Sequence, residues 1–177
     1  MARLPRRRRQ RRRARCPRNT NASARSIRMT WYGEHTLTTT AAAEAIWYRW
    51  TTLSTWSEDD PECQWARMDG PVVVGATGTL KSKGPKSTFT FTELEPNRRM
   101  VFEIKLPLAT LRLPHNMIES ADGVTLTHAV EITGPLAGLW GALVGRGVVR
   151  GLPEVVANVA TNALEQGSLR TTQRKEH

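Results

Sequence analysis

Four segments between residues 88 and 132 alternate apolar and polar side chains at every second position, and this pattern constrains the fold most. Phe89 and Phe91 stand between threonines in the first segment, and Leu126, Val130 and Ile132 share one parity in the last. A strand places successive side chains on opposite faces, so each segment has one apolar and one polar face. The pattern predicts an antiparallel sheet that is covered on one face and meets water on the other.

Turn residues separate these segments, and they also predict how the strands pair. A symmetric turn over residues 95–98 places Phe91 opposite Phe102 and Phe89 opposite Ile104. Apolar side chains then meet across the strand pair, as a sheet with one dry face requires. The turn sequences are Asp69-Gly70-Pro71, Lys83-Gly84-Pro85, Glu95-Pro96-Asn97 and Ala121-Asp122-Gly123.

A long C-terminal helix is predicted to cover the dry face. After Gly134 and Pro135 end the last strand, apolar residues recur at helical spacing. Pro153 is expected to bend this helix. Its glycines weaken it, so packing against the sheet must hold it, and they leave room beneath it. The apolar stripe consists of Leu136, Leu139, Trp140, Leu143, Val144, Leu152, Val155, Val156, Val159 and Ala163.

A strand and a short helix are predicted before the sheet segments. The strand runs from Trp31 to Thr38, and Thr40 is expected to cap the helix that follows it. Four apolar residues of this helix recur at the spacing of an amphipathic helix. They are Ala43, Ile46, Trp47 and Trp50.

The net charge of +10 belongs to one end of the 177-residue chain. Residues 1–28 hold twelve arginines and no acidic residue, which leaves 14 Lys and Arg against 16 Asp and Glu in the rest. Because like charges repel and no apolar partner is present, we expect residues 1–28 to be disordered. This segment either contacts nucleic acid or an anionic surface weakly, or has no role, or is skipped by translation from Met29. The predicted domain spans residues 29–167, followed by a disordered tail at 168–177.

Several classes of protein do not fit this sequence. Cys16 and Cys63 form neither a disulfide framework nor a metal motif, so no metal is expected. No phosphate loop, dinucleotide fingerprint or nucleophile elbow occurs, and no cofactor is expected. There is no apolar run of about 18 residues and no secretory h-region, so we expect a cytoplasmic protein without a transmembrane segment. Asp59, Asp60 and Glu62 are expected to form a solvated acidic loop.

The order of strand, helix, several antiparallel strands and long final helix resembles the START-like helix-grip (SRPBCC) superfamily, in its polyketide cyclase/dehydrase branch. The likeness spans Trp31 to about Glu165, and Asp59 departs from it where many relatives have a second tryptophan. It implies an α+β helix-grip fold, a curved antiparallel sheet wrapped around a long C-terminal helix. The local motifs are Trp47, Trp56 and Asp60-Pro61, residues 69–71 with Gly75 and Gly78, and residues 91–96, 125–128 and 134–139.

The resemblance also implies a cavity between sheet and helix for a hydrophobic or amphipathic small molecule, such as a lipid, a polyketide-like or an aromatic compound. Carriers, sensors and enzymes share the fold, so it does not imply catalysis. We expect a cavity of roughly 300–1,000 Å³. Its candidate lining residues are Phe89, Phe91, Phe102, Leu113, Leu126, Trp140 and Trp56.

His115 and His128 are the candidate catalytic residues, because both share the parity of the apolar residues on adjacent strands. A symmetric turn at residues 120–123 sets them directly opposite, and a two-residue turn at Asp122-Gly123 makes them diagonal neighbours. Desolvation and mutual repulsion would keep both neutral. Three roles remain open: a core pair satisfied by each other, Trp140 or water; ligand anchoring; or acid/base catalysis in a cyclase or dehydratase.

Overall fold

A computed structural model describes residues 30–175, and side chains up to residue 167. The segment 1–28, predicted to be disordered, lies outside the described residues. Seven antiparallel strands form one curved sheet in the order β1-β7-β6-β5-β4-β3-β2, which confirms the predicted helix-grip architecture. The strands are β1 (Thr30–Thr39), β2 (Trp65–Arg67), β3 (Thr77–Lys81), β4 (Ser87–Glu95), β5 (Arg99–Leu106), β6 (Ala109–Ser120) and β7 (Gly123–Thr133).

The helices lie between β1 and β2 and after β7. A 3₁₀ turn at Leu53–Thr55 joins the first two helices, and a π-helical segment at Gly141–Gly145 joins the last two. We call residues 137–175 the grip helix. None of the helices in residues 30–175 is long and apolar enough to cross a membrane. The helices are α1 (Ala43–Thr51), α2 (Trp56–Asp59), α3 (Ala137–Trp140) and α4 (Arg146–Lys175).

The β4–β5 pairing confirms the two predicted contacts but corrects the turn. Phe91 faces Phe102 and Phe89 faces Ile104. Next to the turn, however, the register is shifted by one residue, and a β-bulge at Thr92 restores it further along the strands. The apolar side chains on the dry face fix the pairing there, and the bulge absorbs the mismatch with the turn.

The grip helix packs on β1 and β7. Gly141 and Gly145 lie directly over the indole of Trp31, so a side chain at either position would overlap that ring. Trp31 therefore fills space that the sequence predicted the glycines would leave open. The hydrogen-bond pattern of the helix changes at this contact, in the π-helical segment, and Pro153 lies within α4. The helix continues to Lys175, past residue 167, where the domain was predicted to end.

Two details at the edges of the core differ from the sequence prediction. The N-cap of α1 is Ala42, which offers no side-chain cap, so Thr40 does not cap the helix. The polar face of the sheet carries an ion-pair network rather than isolated polar residues. Arg112 on β6 contacts Glu93 on β4, Glu103 on β5 and Glu131 on β7, at 2.7–3.0 Å.

Candidate functional site

Three of the four histidines form a row across neighbouring strands on the covered face of the sheet. His115 on β6 is paired directly with His128 on β7, and their ring centroids are 4.2 Å apart. Of the two registers that the sequence left open, the one set by a symmetric turn at residues 120–123 is correct. His128 is paired in turn with His35 on β1, which sequence reasoning had left aside. The alternation along β1 did indicate the position of His35, because it shares the parity of the apolar residues Trp31 and Leu37.

His128 is held by a tryptophan of the first helix. Nε1–H of Trp50 donates to Nε2 of His128 at 3.1 Å, and both residues are buried. An indole nitrogen only donates, so Nε2 of His128 carries no proton and the neutral ring bears it on Nδ1. The edge of the Trp50 indole also meets both imidazoles, at 5.5 Å between centroids. Trp50, rather than the expected Trp140, therefore satisfies this histidine.

His115 has a different environment. Its Nδ1 lies 2.9 Å from the carbonyl oxygen of Leu113, and a carbonyl only accepts, so Nδ1 carries the proton. The neutral ring then presents Nε2 as a lone pair. Phe102 stacks on the imidazole at 5.7 Å with an interplanar angle of 25°. Part of the His115 side chain stays accessible to solvent.

Burial keeps both imidazoles of this pair uncharged at neutral pH. Desolvation lowers the pKa of His115 to about 4, against a weaker opposing effect of the Leu113 and Met100 carbonyls. Desolvation also lowers the pKa of His128 well below 6.5, and the neighbouring His115 and His35 lower it further. A proton on either ring would lose its hydration without gaining a carboxylate partner.

Aromatic rings pack beside the histidines. Trp56 stacks on Phe102 at 5.1 Å and lies 5.3 Å from Phe89 and 6.4 Å from Phe91. Phe89, Phe91 and Leu126 have no exposed surface. These three predicted lining residues are therefore core residues in this conformation.

Trp140 lies away from this aromatic group, contrary to the prediction. It packs in a second apolar cluster with Leu111, Val130 and Ile132. Its Nε1–H donates to the carbonyl oxygen of Pro107 at 2.9 Å. The helical spacing placed Trp140 on the correct face of the helix, but the helix carries that face over the opposite end of the sheet.

Two hollows in the described part of the chain have volumes of about 290 and 450 Å³. None of the predicted lining residues contributes to either one. The smaller lies on β2 and β3, beside Arg67 and Thr79, and the larger lies beside the β5–β6 turn and Gly134. The predicted cavity does not correspond to either hollow, and aromatic side chains fill the space around Phe89.

A strip of inward-facing residues on β5 and β6 nevertheless keeps accessible surface. It consists of Ile104, Leu113 and His115, and we call it the inner strip. Ile104 and Leu113 touch both apolar clusters. The grip helix packs on β1 and β7, whereas the inner strip lies on the neighbouring strands. The inner strip therefore combines apolar surface with the Nε2 lone pair of His115.

A buried ion pair joins α1, α2 and α4. Nε of Arg49 donates to Oδ1 and Oδ2 of Asp59 at 2.8 and 2.9 Å, and Nδ2 of Asn162 donates to Oδ1 at 2.8 Å. Asn158 bonds the backbone oxygen of Asp59. Asp59 is only 4% exposed, so the prediction of a solvated loop is wrong for this residue. Burial raises the pKa of Asp59, while the Arg49 and Asn162 bonds act against that rise.

Histidines and carboxylates do not converge on a metal here. Within residues 30–167, no three His, Cys, Asp or Glu side chains lie in an arrangement that could hold a metal ion. What the inner strip offers is apolar contact and one basic nitrogen in a desolvated environment. The nitrogen can accept a hydrogen bond from a ligand hydroxyl. If its pKa were higher, it could also remove the hydroxyl proton.

Comparison with known protein families identifies a match. The family model described as polyketide cyclase / dehydrase and lipid transport matches residues 28–165. A search of curated protein sequences finds no significant match.

Solved structures with the same fold have low sequence identity. The di-domain aromatase/cyclase StfQ from the steffimycin biosynthetic pathway has a TM-score of 0.65 at 14% identity, over 78% of this chain and 52% of that one. Norcoclaurine synthase from Thalictrum flavum has a TM-score of 0.59 at 13% identity, over 78% and 88%. DynU16, from the dynemicin biosynthetic locus, has a TM-score of 0.55 at 19% identity, over 77% and 48%. The chain thus spans about half the length of StfQ and of DynU16.

Proposed function

This chain belongs to the polyketide cyclase / dehydrase and lipid transport family, and from that membership we propose that it binds an apolar small molecule bearing a hydroxyl group. The ligand lies against the inner strip, between the sheet and the grip helix. Its apolar body covers Ile104 and Leu113, and its hydroxyl donates to Nε2 of His115.

The observation that carries the proposal is the state of His115. Its proton is committed to the Leu113 carbonyl at 2.9 Å, so a neutral ring can only accept at Nε2. Part of the His115 side chain is accessible to solvent, so a ligand hydroxyl can reach this acceptor and take the place of water there. The same argument excludes His128, whose Nε2 already accepts from Trp50.

Binding a larger ligand requires side chains to move. Trp56 keeps part of its surface accessible and leans on Phe102 and Phe89. It begins α2, a single helical turn that directly follows the 3₁₀ turn, and its Nε1–H donates to the carbonyl oxygen of Trp50 at 3.1 Å. Rotation of this indole would break its hydrogen bond to Trp50 and open space next to the inner strip without disturbing the strands.

A matched pair of probes tests the proposal. Naphthalene and a naphthol share an apolar body, and only the second donates a hydrogen bond. We expect His115→Leu to weaken naphthol binding about fivefold, the factor that corresponds to a hydrogen bond worth about 1 kcal/mol. Naphthalene binding should stay within twofold, roughly experimental scatter. Fluorescence titration of both probes measures this difference.

Two further variants make the result specific. His115→Gln keeps a side-chain acceptor and should retain more naphthol affinity than His115→Leu. Thr127→Val changes the residue beside His128 on the outer face of the sheet, where its hydroxyl meets Thr36, and should bind both probes as the parent does. Equal weakening of both probes by His115→Leu would show that the ring only packs, and the proposal would fail.

A cyclase or dehydratase activity is the second candidate, and the contact of 4.2 Å between the His115 and His128 rings is what favours it. A pair this close can relay a proton. The pKa of about 4 for His115 opposes it, because efficient acid/base groups titrate near the working pH. An NMR titration of the His115 ring with naphthol bound separates the two. A pKa that returns toward neutrality would favour catalysis, and one that stays near 4 would favour binding alone.

A further inference from the structure

Three leucines are exposed together at one end of the molecule. Leu139 and Leu143 on the grip helix are 51% and 67% exposed, and Leu108 in the β5–β6 turn is 67% exposed. The turn and the helix start are adjacent, since the backbone N–H of Leu136 donates to the Leu108 carbonyl at 3.2 Å. We call Leu108, Leu139 and Leu143 the apolar tip.

Folding does not explain Leu108. Its backbone has φ of 53°, a left-handed conformation that favours glycine and is unfavourable for a branched side chain. The Leu108 side chain is also exposed to solvent. Burial of apolar surface therefore does not offset the cost of this backbone conformation. A strained and exposed leucine at a turn suggests that another surface contacts it.

Positive charge surrounds the apolar tip. Arg146 and Arg150 lie three and seven residues after Leu143, which are helical spacings, and both are exposed. Within residues 30–167 neither has an acidic side chain at ion-pair distance. The N-terminal strand begins at this same end, because Thr30 pairs with Thr133, next to Gly134. The twelve arginines of residues 1–28 therefore precede a strand that starts beside the tip.

We propose that this end of the protein docks on the surface of a bilayer that contains anionic lipids. Exposed leucines enter the boundary between headgroups and acyl chains, and nearby arginines contact the lipid phosphates. Stable attachment needs two such signals. The leucines of the apolar tip supply the first, and the nearby arginines supply the second. A nucleic acid would satisfy the arginines but would leave the three leucines in water, so it fits the surface less well.

Flotation with lipid vesicles tests the proposal on the full chain. The protein should bind vesicles of phosphatidylcholine with phosphatidylglycerol much more than vesicles of phosphatidylcholine alone. The double variant Leu139→Asp, Leu143→Asp should lose roughly tenfold or more in binding, since two leucines no longer enter the bilayer. Arg146→Gln and Arg150→Gln should each lose about fivefold.

Two variants separate docking from folding. Ile118→Asp replaces a side chain that is 70% exposed at the opposite end of β6 and should leave vesicle binding unchanged. Leu108→Gly relieves the left-handed backbone, so it should keep or raise the melting temperature while it weakens vesicle binding. A purely structural leucine could not give these opposite signs.

Three outcomes would overturn the proposal. Binding that survives the double leucine variant would assign it to the arginines of residues 1–28 alone. Equal binding to both vesicle types would exclude the role of anionic lipid. Absence of vesicle binding together with tight binding to duplex DNA would identify a nucleic acid as the partner. None of these outcomes affects the binding of naphthol at the inner strip, so the two proposals fail independently.

Discussion

The Arg49–Asp59 pair and the His115–His128 pair both lie inside the fold, and they differ in how completely the protein satisfies them. Asp59 accepts from Arg49 and Asn162, which leaves the buried charge fully engaged. His115 uses one nitrogen on the Leu113 carbonyl, and part of its ring stays accessible to solvent. Burial therefore does not identify a functional group by itself. A polar atom that lies among apolar side chains and is still accessible is the better indication, because a ligand can reach it.

If the Arg49–Asp59 pair only stabilises the fold, removing the charge of Asp59 should lower stability and leave ligand binding unchanged. Asp59→Asn leaves the buried guanidinium of Arg49 with the exposed carboxylate of Glu58, at 2.8 Å, as its remaining counter-charge. We expect the free energy of unfolding to fall by about 3–5 kcal/mol, as measured by urea denaturation. Naphthol affinity, measured on the folded protein, should stay unchanged. A loss of affinity without a loss of stability would make Asp59 a binding residue instead and reverse the comparison.

The histidine pair should make stability depend on pH. Its two pKa values are lower in the folded state than the 6.5 of an unfolded chain, so the unfolded state binds more protons in acid. The stabilising contribution is present above pH 6.5 and is lost as pH falls toward 4. For His115 alone the loss amounts to about 3 kcal/mol.

Denaturation of the parent and of His115→Gln across this range measures that loss. Asp59 and Asp60, whose pKa values burial raises, act in the opposite direction, but they are common to both proteins. The difference between the two curves should therefore shrink as pH falls below about 6.5. Parallel curves would mean that the fold does not lower the pKa of His115, and the assignment of a neutral ring that accepts at Nε2 would fail.

The sequence predicted the parts of the site that depend on local patterns. Alternation along β6 and β7 and the short turn between them fixed His115 opposite His128. The pairing of Phe91 with Phe102 was also correct, although the turn that suggested it is shifted by a bulge. The apolar face set that register more strongly than the turn did, because a one-residue slip would turn every side chain over.

Contacts between distant segments were not predictable from the same patterns. Trp50 precedes His128 by 78 positions, and Asn162 follows Asp59 by 103. Periodicity assigns a face to a helix but not the half of the sheet that the face covers, which is why Trp140 was misplaced. Asp59 looked solvated because its neighbours are acidic, and its arginine partner belongs to the preceding helix.

Trp50 tests whether His128 is the satisfied member of its pair. Trp50→Phe keeps the ring against both imidazoles but removes the donor to Nε2 of His128. We expect a loss of about 1–2 kcal/mol in the free energy of unfolding, the cost of an unpaired buried acceptor. Trp140→Phe is a matched control, because its indole also donates one bond, to Pro107, but from a partly exposed position. It should cost less, since water can reach the Pro107 carbonyl. Equal losses would mean that His128 gains nothing from its burial with Trp50.

The smallest expected effect concerns an ion pair with the same separation as the buried one. Nζ of Lys83 lies 2.8 Å from Oε1 of Glu62, matching the 2.8 Å between Arg49 and Asp59, but the two side chains are 73% and 42% exposed. Water already solvates both charges, so little free energy depends on their contact. Lys83→Ala should leave the free energy of unfolding almost unchanged, and added salt should remove any small difference that remains. Urea denaturation at low and high salt measures it. If this variant destabilised the protein as much as Asp59→Asn does, the distance between the charges rather than their burial would govern the strength of these ion pairs. The comparison of the Arg49–Asp59 pair with the His115–His128 pair, which depends on burial, would then lose its basis.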